Sequence, residues 1–175
     1  MEQRKPISPI IAGLIVAGVA VIFSLLLSVT GAEGSRGLGL LNYIIIIAAL
    51  AFLIVQYGKA NRNQMSFGEL FGYGFKATAI YTLIFLIFLA IMVVMSPDMK
   101  QKTLEVARVE MEKQGRTDAE IDQAINIADR YYMVGLLGGS VFMLVLIGTI
   151  GSLIGAAVTK KNPKTPFDQE NFLQS

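Results

Sequence analysis

Apolar residues gather along this chain in four long blocks, each closed by charge. No charged residue falls among the 27 between Lys5 and Glu33, the 22 between Arg36 and Lys59, the 21 between Lys76 and Asp98, or the 29 between Arg130 and Lys160. A bilayer core of roughly 30 Å takes about 20 helical residues to cross, so each block can carry one span. Ile44-Ile45-Ile46-Ile47 would favour a strand in water. In lipid only a helix or a closed barrel satisfies the backbone, and the block length suits a helix. The pattern predicts spans at 10–30, 38–57, 72–95 and 133–158. The expected fold class is all-α, a four-helix transmembrane bundle forming one domain over 1–162, with a cytoplasmic tail at 163–175.

The first block opens like a secretory signal, with Arg4 and Lys5 before the apolar run and Thr30-Gly31-Ala32 after it. The apolar core of such a signal is only about 7–15 residues long. This run is longer and a second span follows directly, so an uncleaved helix is expected. Gly31, Gly34 and Gly37 then predict a tight turn.

The polar segments carry helix punctuation. Ser96-Pro97-Asp98 reads as a cap, a proline at the first helical position and an acid in the first turn. Leu104, Ala107 and Met111 recur at helical spacing until Gly115 stops that helix. Thr117-Asp118-Ala119-Glu120 is a capping box, and Ile121, Ala124, Ile125, Ala128 and Tyr132 follow as a stripe. Arg108 and Glu112 pair at i,i+4. Residues 97–132 therefore predict a helical hairpin between spans three and four. A second capping box, Ser66-Phe67-Gly68-Glu69, starts the third helix before it enters lipid. Phe67, Phe71 and Phe75 share one face as interfacial anchors, and Lys76 can snorkel.

Composition agrees with lipid. The chain is 54% hydrophobic and 16% charged, with mean hydropathy +0.59, against about 45–50% and about 25% in soluble domains. It has no His and no Cys, which excludes a histidine general base, a thiolate nucleophile and the usual zinc, haem and iron–sulfur sites. No cofactor is expected, and a net charge of +2 is too small to call for nucleic acid. With the N-terminus inside, the inner segments hold Arg4, Lys5, Lys59, Arg62, Lys76, Lys160, Lys161 and Lys164 against Glu2, Glu69, Asp168 and Glu170. Residues 97–132 hold six basic and eight acidic residues. The excess of Lys and Arg places both termini in the cytoplasm and the hairpin outside. Tyr57 and Tyr131-Tyr132 fall where an aromatic belt is expected.

Tyr57-Gly58-Lys59 and the stretch Met65-Ser66-Phe67-Gly68-Glu69-Leu70-Phe71-Gly72-Tyr73-Gly74-Phe75 resemble the signature of domain-of-unknown-function family 4199. Met111-Glu112-Lys113-Gln114-Gly115, then Thr117-Asp118-Ala119-Glu120-Ile121, and the glycine-rich fourth span ending at Lys160-Lys161 extend the likeness over residues 5–162. The resemblance implies a small four-span inner-membrane protein of Bacteroidota-type bacteria, working in the cell envelope. It implies no catalytic residues.

Three groups of residues are candidates for function. Lys59, Arg62, Glu69, Tyr73 and Lys76 could form a headgroup pocket at the inner face, the plainer reading being a cap glutamate and a snorkelling lysine. Lys160, Lys161 and Lys164 read as a stop-transfer anchor or as contacts to anionic lipid. In the fourth span Gly135, Gly139, Gly148, Gly151, Ser152 and Gly155 form small-residue ridges for bundle packing or for a homodimer, with Gly13 and Ala17 of the first span as their expected partner surface. Outside, Ile121, Ile125 and Tyr132 form a stripe that packs on the hairpin itself, lies on headgroups or docks a protein partner.

The spans hold no carboxylate or amine at mid-membrane, which argues against ion-coupled transport. The leading expectation is a non-catalytic scaffold or accessory subunit whose partners are membrane lipid and a protein met through the outer hairpin. The alternative is a small carrier or flippase for lipid or lipid-linked sugar. That reading requires a cavity lined by Thr78, Tyr81, Thr82 and Ser140 with Lys76 at its mouth. An enzyme is the third reading, but the outer acidic residues show no paired spacing beyond ordinary helix surface charge.

Overall fold

The structure is a computed structural model that describes residues 6–31, 36–96 and 98–162. Those residues form six helices: α1 (Pro9–Val29), α2 (Arg36–Ala60), α3 (Phe67–Met95), α4 (Asp98–Lys113), α5 (Asp118–Arg130) and α6 (Tyr132–Val158). There is no strand among them. Pro9–Val29, Gly37–Ala60, Phe67–Met95 and Tyr132–Val158 are long and apolar enough to cross a membrane. The chain is therefore an all-helical, multi-pass membrane protein, as its charge-free blocks imply. Residues 32–35 of the turn expected over Gly31–Gly37, Pro97 and the tail at 163–175 lie outside the described residues.

The helix ends follow the local chemistry. The Ser8 hydroxyl accepts from the Ile11 N–H at 3.3 Å, with Pro9 at the first turn of α1. The Ser66 box closes as Ser66 N–H donates to Glu69 Oε2 at 2.7 Å and the Glu69 N–H donates to Ser66 Oγ at 3.3 Å. The Thr117 box closes in the same way through Glu120. Gly115 ends α4 with a left-handed φ of +74°, which costs a glycine no Cβ clash.

The domain expected over 1–162 clusters into two compact units, Met1–Thr82 with Leu144–Ser175, and Leu83–Met143. The boundaries fall inside α3 and α6. In the first unit the buried positions are Ala12, Gly13, Val16, Ala17 and Ala20 of α1, and Ile46, Leu50, Leu53 and Ile54 of α2. From α3 come Leu70, Tyr73, Gly74, Ala77, Thr78, Tyr81 and Thr82, and from α6 Leu144, Gly148, Gly151, Ser152, Gly155 and Ala156. Steps of three and four mark one buried stripe per helix. The outward faces are apolar as well, as in Ile22, Ile44, Leu83 and Val158, which is what a lipid solvent allows.

In the second unit α4 and α5 run back along one another. Arg108 Nη2 meets Asp122 Oδ1 at 2.6 Å, and Lys100 Nζ meets Asp129 Oδ1 at 2.8 Å. Ile121 is buried, while Leu104, Ala107, Met111, Ala124, Ile125 and Ala128 are half-buried. Val106 and Ile127 face outward.

Candidate functional site

Lipid gives helices no hydrophobic reason to associate, so close backbone approach and dispersion must hold them. The first unit achieves this with glycines and hydroxyls in register. A Cβ on Gly74 of α3 would lie 2.6 Å from Ser152 Oγ of α6, and a Cβ on Gly148 of α6 would overlap the Thr78 side chain of α3. Each hydroxyl in turn bonds back along its own helix. Thr78 Oγ1 donates to Gly74 O at 3.0 Å and Ser152 Oγ to Gly148 O at 2.7 Å. The result is a reciprocal lock. Two antiparallel Gly-x-x-x-hydroxyl segments face each other, each hydroxyl residue seated on the other's glycine. Thr159 repeats the device: its hydroxyl donates to Gly155 O at 2.6 Å, and its methyl occupies the space beside Gly58 of α2. Gly151 and Gly155 pack on the α2 backbone at Ile47 and Ala51.

The small-residue ridge of the fourth span therefore divides. Gly148, Gly151, Ser152 and Gly155 are internal packing positions of this chain. Gly135 and Gly139 have nothing within 4 Å of a built Cβ. On the first span, a Cβ built at Gly13 would lie 2.7 Å from the Ala77 carbonyl oxygen and from Ile80 Cβ, so the close approach at this glycine is made by α3. A glycine's spacing defines a face, but not which helix will press against it.

The polar end of the first unit is built by three segments. The α2–α3 connection turns through Arg62 and Asn63, both left-handed at φ 56° and 57°. It closes with Asn63 N–H donating to Gly58 O at 2.8 Å. The chain leaving α6 caps this turn: Asn162 N–H donates to Asn63 O at 2.8 Å, and Asn162 Nδ2 donates to Arg62 O at 3.4 Å. The same approach puts Lys161 Nζ 5.1 Å above the centre of the Phe67 ring. From Phe67 an aromatic ladder descends α3, with ring centres 6.4 Å apart to Phe71 and 5.9 Å on to Phe75.

The headgroup cluster expected from sequence is only partly assembled. Lys59, Arg62, Glu69 and Lys76 are exposed, and Glu69 serves the Ser66 cap. Tyr73 is corrected: it is only 4% exposed and stacks on Tyr57 with ring centres 4.0 Å apart. Its position among Leu70, Gly74 and Ala77 on the buried stripe could have signalled this. The contact of Lys161 with Phe67 at this end is one that sequence spacing did not signal.

The carrier reading needs Thr78, Tyr81, Thr82 and Ser140 to line a cavity with Lys76 at its mouth. Thr78, Tyr81 and Thr82 are buried, Thr78 fills the space beside Gly148, Ser140 is half-buried and Lys76 is exposed. In the second unit a shallow depression is lined by Ala90, Ile91, Val94 and Met95, all apolar. Ile121, offered as part of an outer docking stripe, is 1% exposed and unavailable to a partner, while Ile125 and Tyr132 are half-buried. In the Thr117 box the carboxyl of Glu120 is held below its ordinary range by the Thr117 N–H and then by the Thr117 hydroxyl.

Comparison with protein families decides the lineage, because the profile of a family of proteins of unknown function, DUF4199, matches residues 11–161. The chain belongs to DUF4199. The DUF4199 match takes in both capping boxes, the Phe ladder and the whole Gly-hydroxyl lock, and it ends at Lys161. No curated protein and no solved structure matches the chain.

Proposed function

We propose that this DUF4199 protein is a non-catalytic scaffold or accessory subunit of the bacterial inner membrane, serving the cell envelope. Both termini face the cytoplasm and the α4–α5 pair lies outside. The observation that carries the reading is the use made of buried polarity. Of the buried serine and threonine residues Thr78, Thr82, Ser152 and Thr159, three bond back to a glycine carbonyl one turn earlier and sit beside a glycine of a neighbouring helix. Such groups weld helices together; they are not presented to a substrate. The distribution of Lys and Arg supports the orientation. The polar end of the first unit also gathers the α2–α3 turn and the exit of α6, as two segments on one side of a membrane must be.

The hairpin offers Val106 and Ile127 to a partner, at 70% and 55% exposure. The test is purification of the full chain from native membranes in mild detergent. A second protein should co-purify at fixed stoichiometry and be lost with Val106→Asp and Ile127→Asp, while the variant itself still folds. Recovery of the protein alone would overturn the scaffold reading.

A further inference from the structure

We propose that the α3 aromatic ladder, together with Lys161 at its head and the adjoining Lys160, is a binding site for one anionic phospholipid. Phe67 and Phe75 are 40% and 44% exposed, and Phe71 between them is half-buried. The three rings flank the buried stripe of Leu70, Gly74 and Ala77, with Phe67 and Gly74 two turns apart on nearly one line, and the rings at both ends of the ladder are exposed. Eight residues at about 1.5 Å rise carry the ladder some 12 Å along the helix. It runs from the Ser66 cap to Phe75, which adjoins Lys76 at the start of the uncharged part of the span. A lipid lying there would set its glycerol and upper acyl chain against the rings.

Charge selects the headgroup. At this end the described residues 58–76 and 159–162 supply Lys59, Arg62, Lys76, Lys160 and Lys161 against Glu69. Lys161 is held at the head of the ladder by the Asn162 bonds to Arg62 and Asn63 and by the Phe67 ring. An ammonium fixed over an exposed ring at the polar boundary suits a phosphodiester that brings no compensating amine. A zwitterionic headgroup would add a positive charge to a positive surface. The site stands on membrane embedding alone and does not depend on the scaffold reading.

The experiment uses the full chain in detergent, titrated with phosphatidylglycerol or phosphatidylcholine and read by native mass spectrometry. Phosphatidylglycerol should be retained as one saturable adduct, and phosphatidylcholine should not. Lys160→Gln with Lys161→Gln should weaken it by about fivefold per charge removed. Phe67→Ala with Phe71→Ala should weaken it at high salt as well as low. Lys100→Gln with Lys102→Gln, on α4, should leave it unchanged. Circular dichroism confirms that each variant is folded. Equal retention of both lipids, no loss in either site variant, or an equal loss in the α4 control would overturn the proposal.

Discussion

Gly148→Ala tests the lock between α3 and α6. The added methyl would lie 2.5 Å from Thr78 Oγ1 and 2.8 Å from Thr78 Cβ, and it would overlap Cγ2. That is roughly 0.6–0.9 Å inside ordinary contact. Thr78 cannot rotate out of the way, because Cβ does not move with χ1 and its hydroxyl is bound to Gly74 O at 3.0 Å. Overpacking of this kind costs about 1–3 kcal/mol. Alanine also gains up to about 1 kcal/mol of helix propensity over glycine, so the raw change understates the clash. Gly139→Ala removes that ambiguity: it makes the same exchange on the same helix, with nothing within 4 Å. Unfolding in mixed micelles of increasing SDS content should place Gly148→Ala about 1–3 kcal/mol below Gly139→Ala. In the Thr78→Gly background the difference should shrink by at least half, as a coupling between touching residues requires. Equal stability of the two alanine variants, or a penalty unchanged by Thr78→Gly, would refute the lock.

In the second unit, Ile121→Ala should cost about 2–4 kcal/mol in the same assay, since that side chain is buried. The exposed pair Arg108–Asp122 should be worth less than about 1 kcal/mol by double-mutant cycle. Glu120 has its carboxyl depressed in the folded state, so its contribution to α5 is present above the unfolded pKa and lost as pH falls through the lower folded one. Carboxyl carbon NMR should show Glu120 titrating below an ordinary glutamate, and Thr117→Ala should move it back up. Asn162→Ala removes the side-chain bond to Arg62 O but not the backbone bond to Asn63. Hydrogen exchange should therefore quicken modestly near residues 159–162 and not in the α6 interior at Gly151.

The spans were legible because lipid imposes one requirement, an uncharged helix of sufficient length, and charge marks its ends. The capping boxes at Ser66 and Thr117 were legible because they are closed within four residues. Partner choice was not. Gly135-x-x-x-Gly139 and Gly148-x-x-x-Ser152 read alike in sequence, yet only the second is filled, by Thr78 some 70 residues away. Gly13 declares a close approach but not that α3 makes it. Tyr73 lies one turn from both Glu69 and Ala77, and its stack on Tyr57 drew it inward. The contact of Lys161 with Phe67 and the Asn162 bond to Asn63 join segments about a hundred residues apart, which no local spacing announces.

The threading of the chain is tested most directly by cysteine labelling, which the absence of native cysteine makes clean. Gln64 and Gln114 are both exposed, one in the α2–α3 turn and the other at the end of α4. In intact cells stripped of their outer barrier, Gln114→Cys should react with a membrane-impermeant maleimide, and Gln64→Cys should react only after the membrane is opened. Labelling of Gln64→Cys from outside, or of both positions alike, would contradict the four-span arrangement with its termini inside.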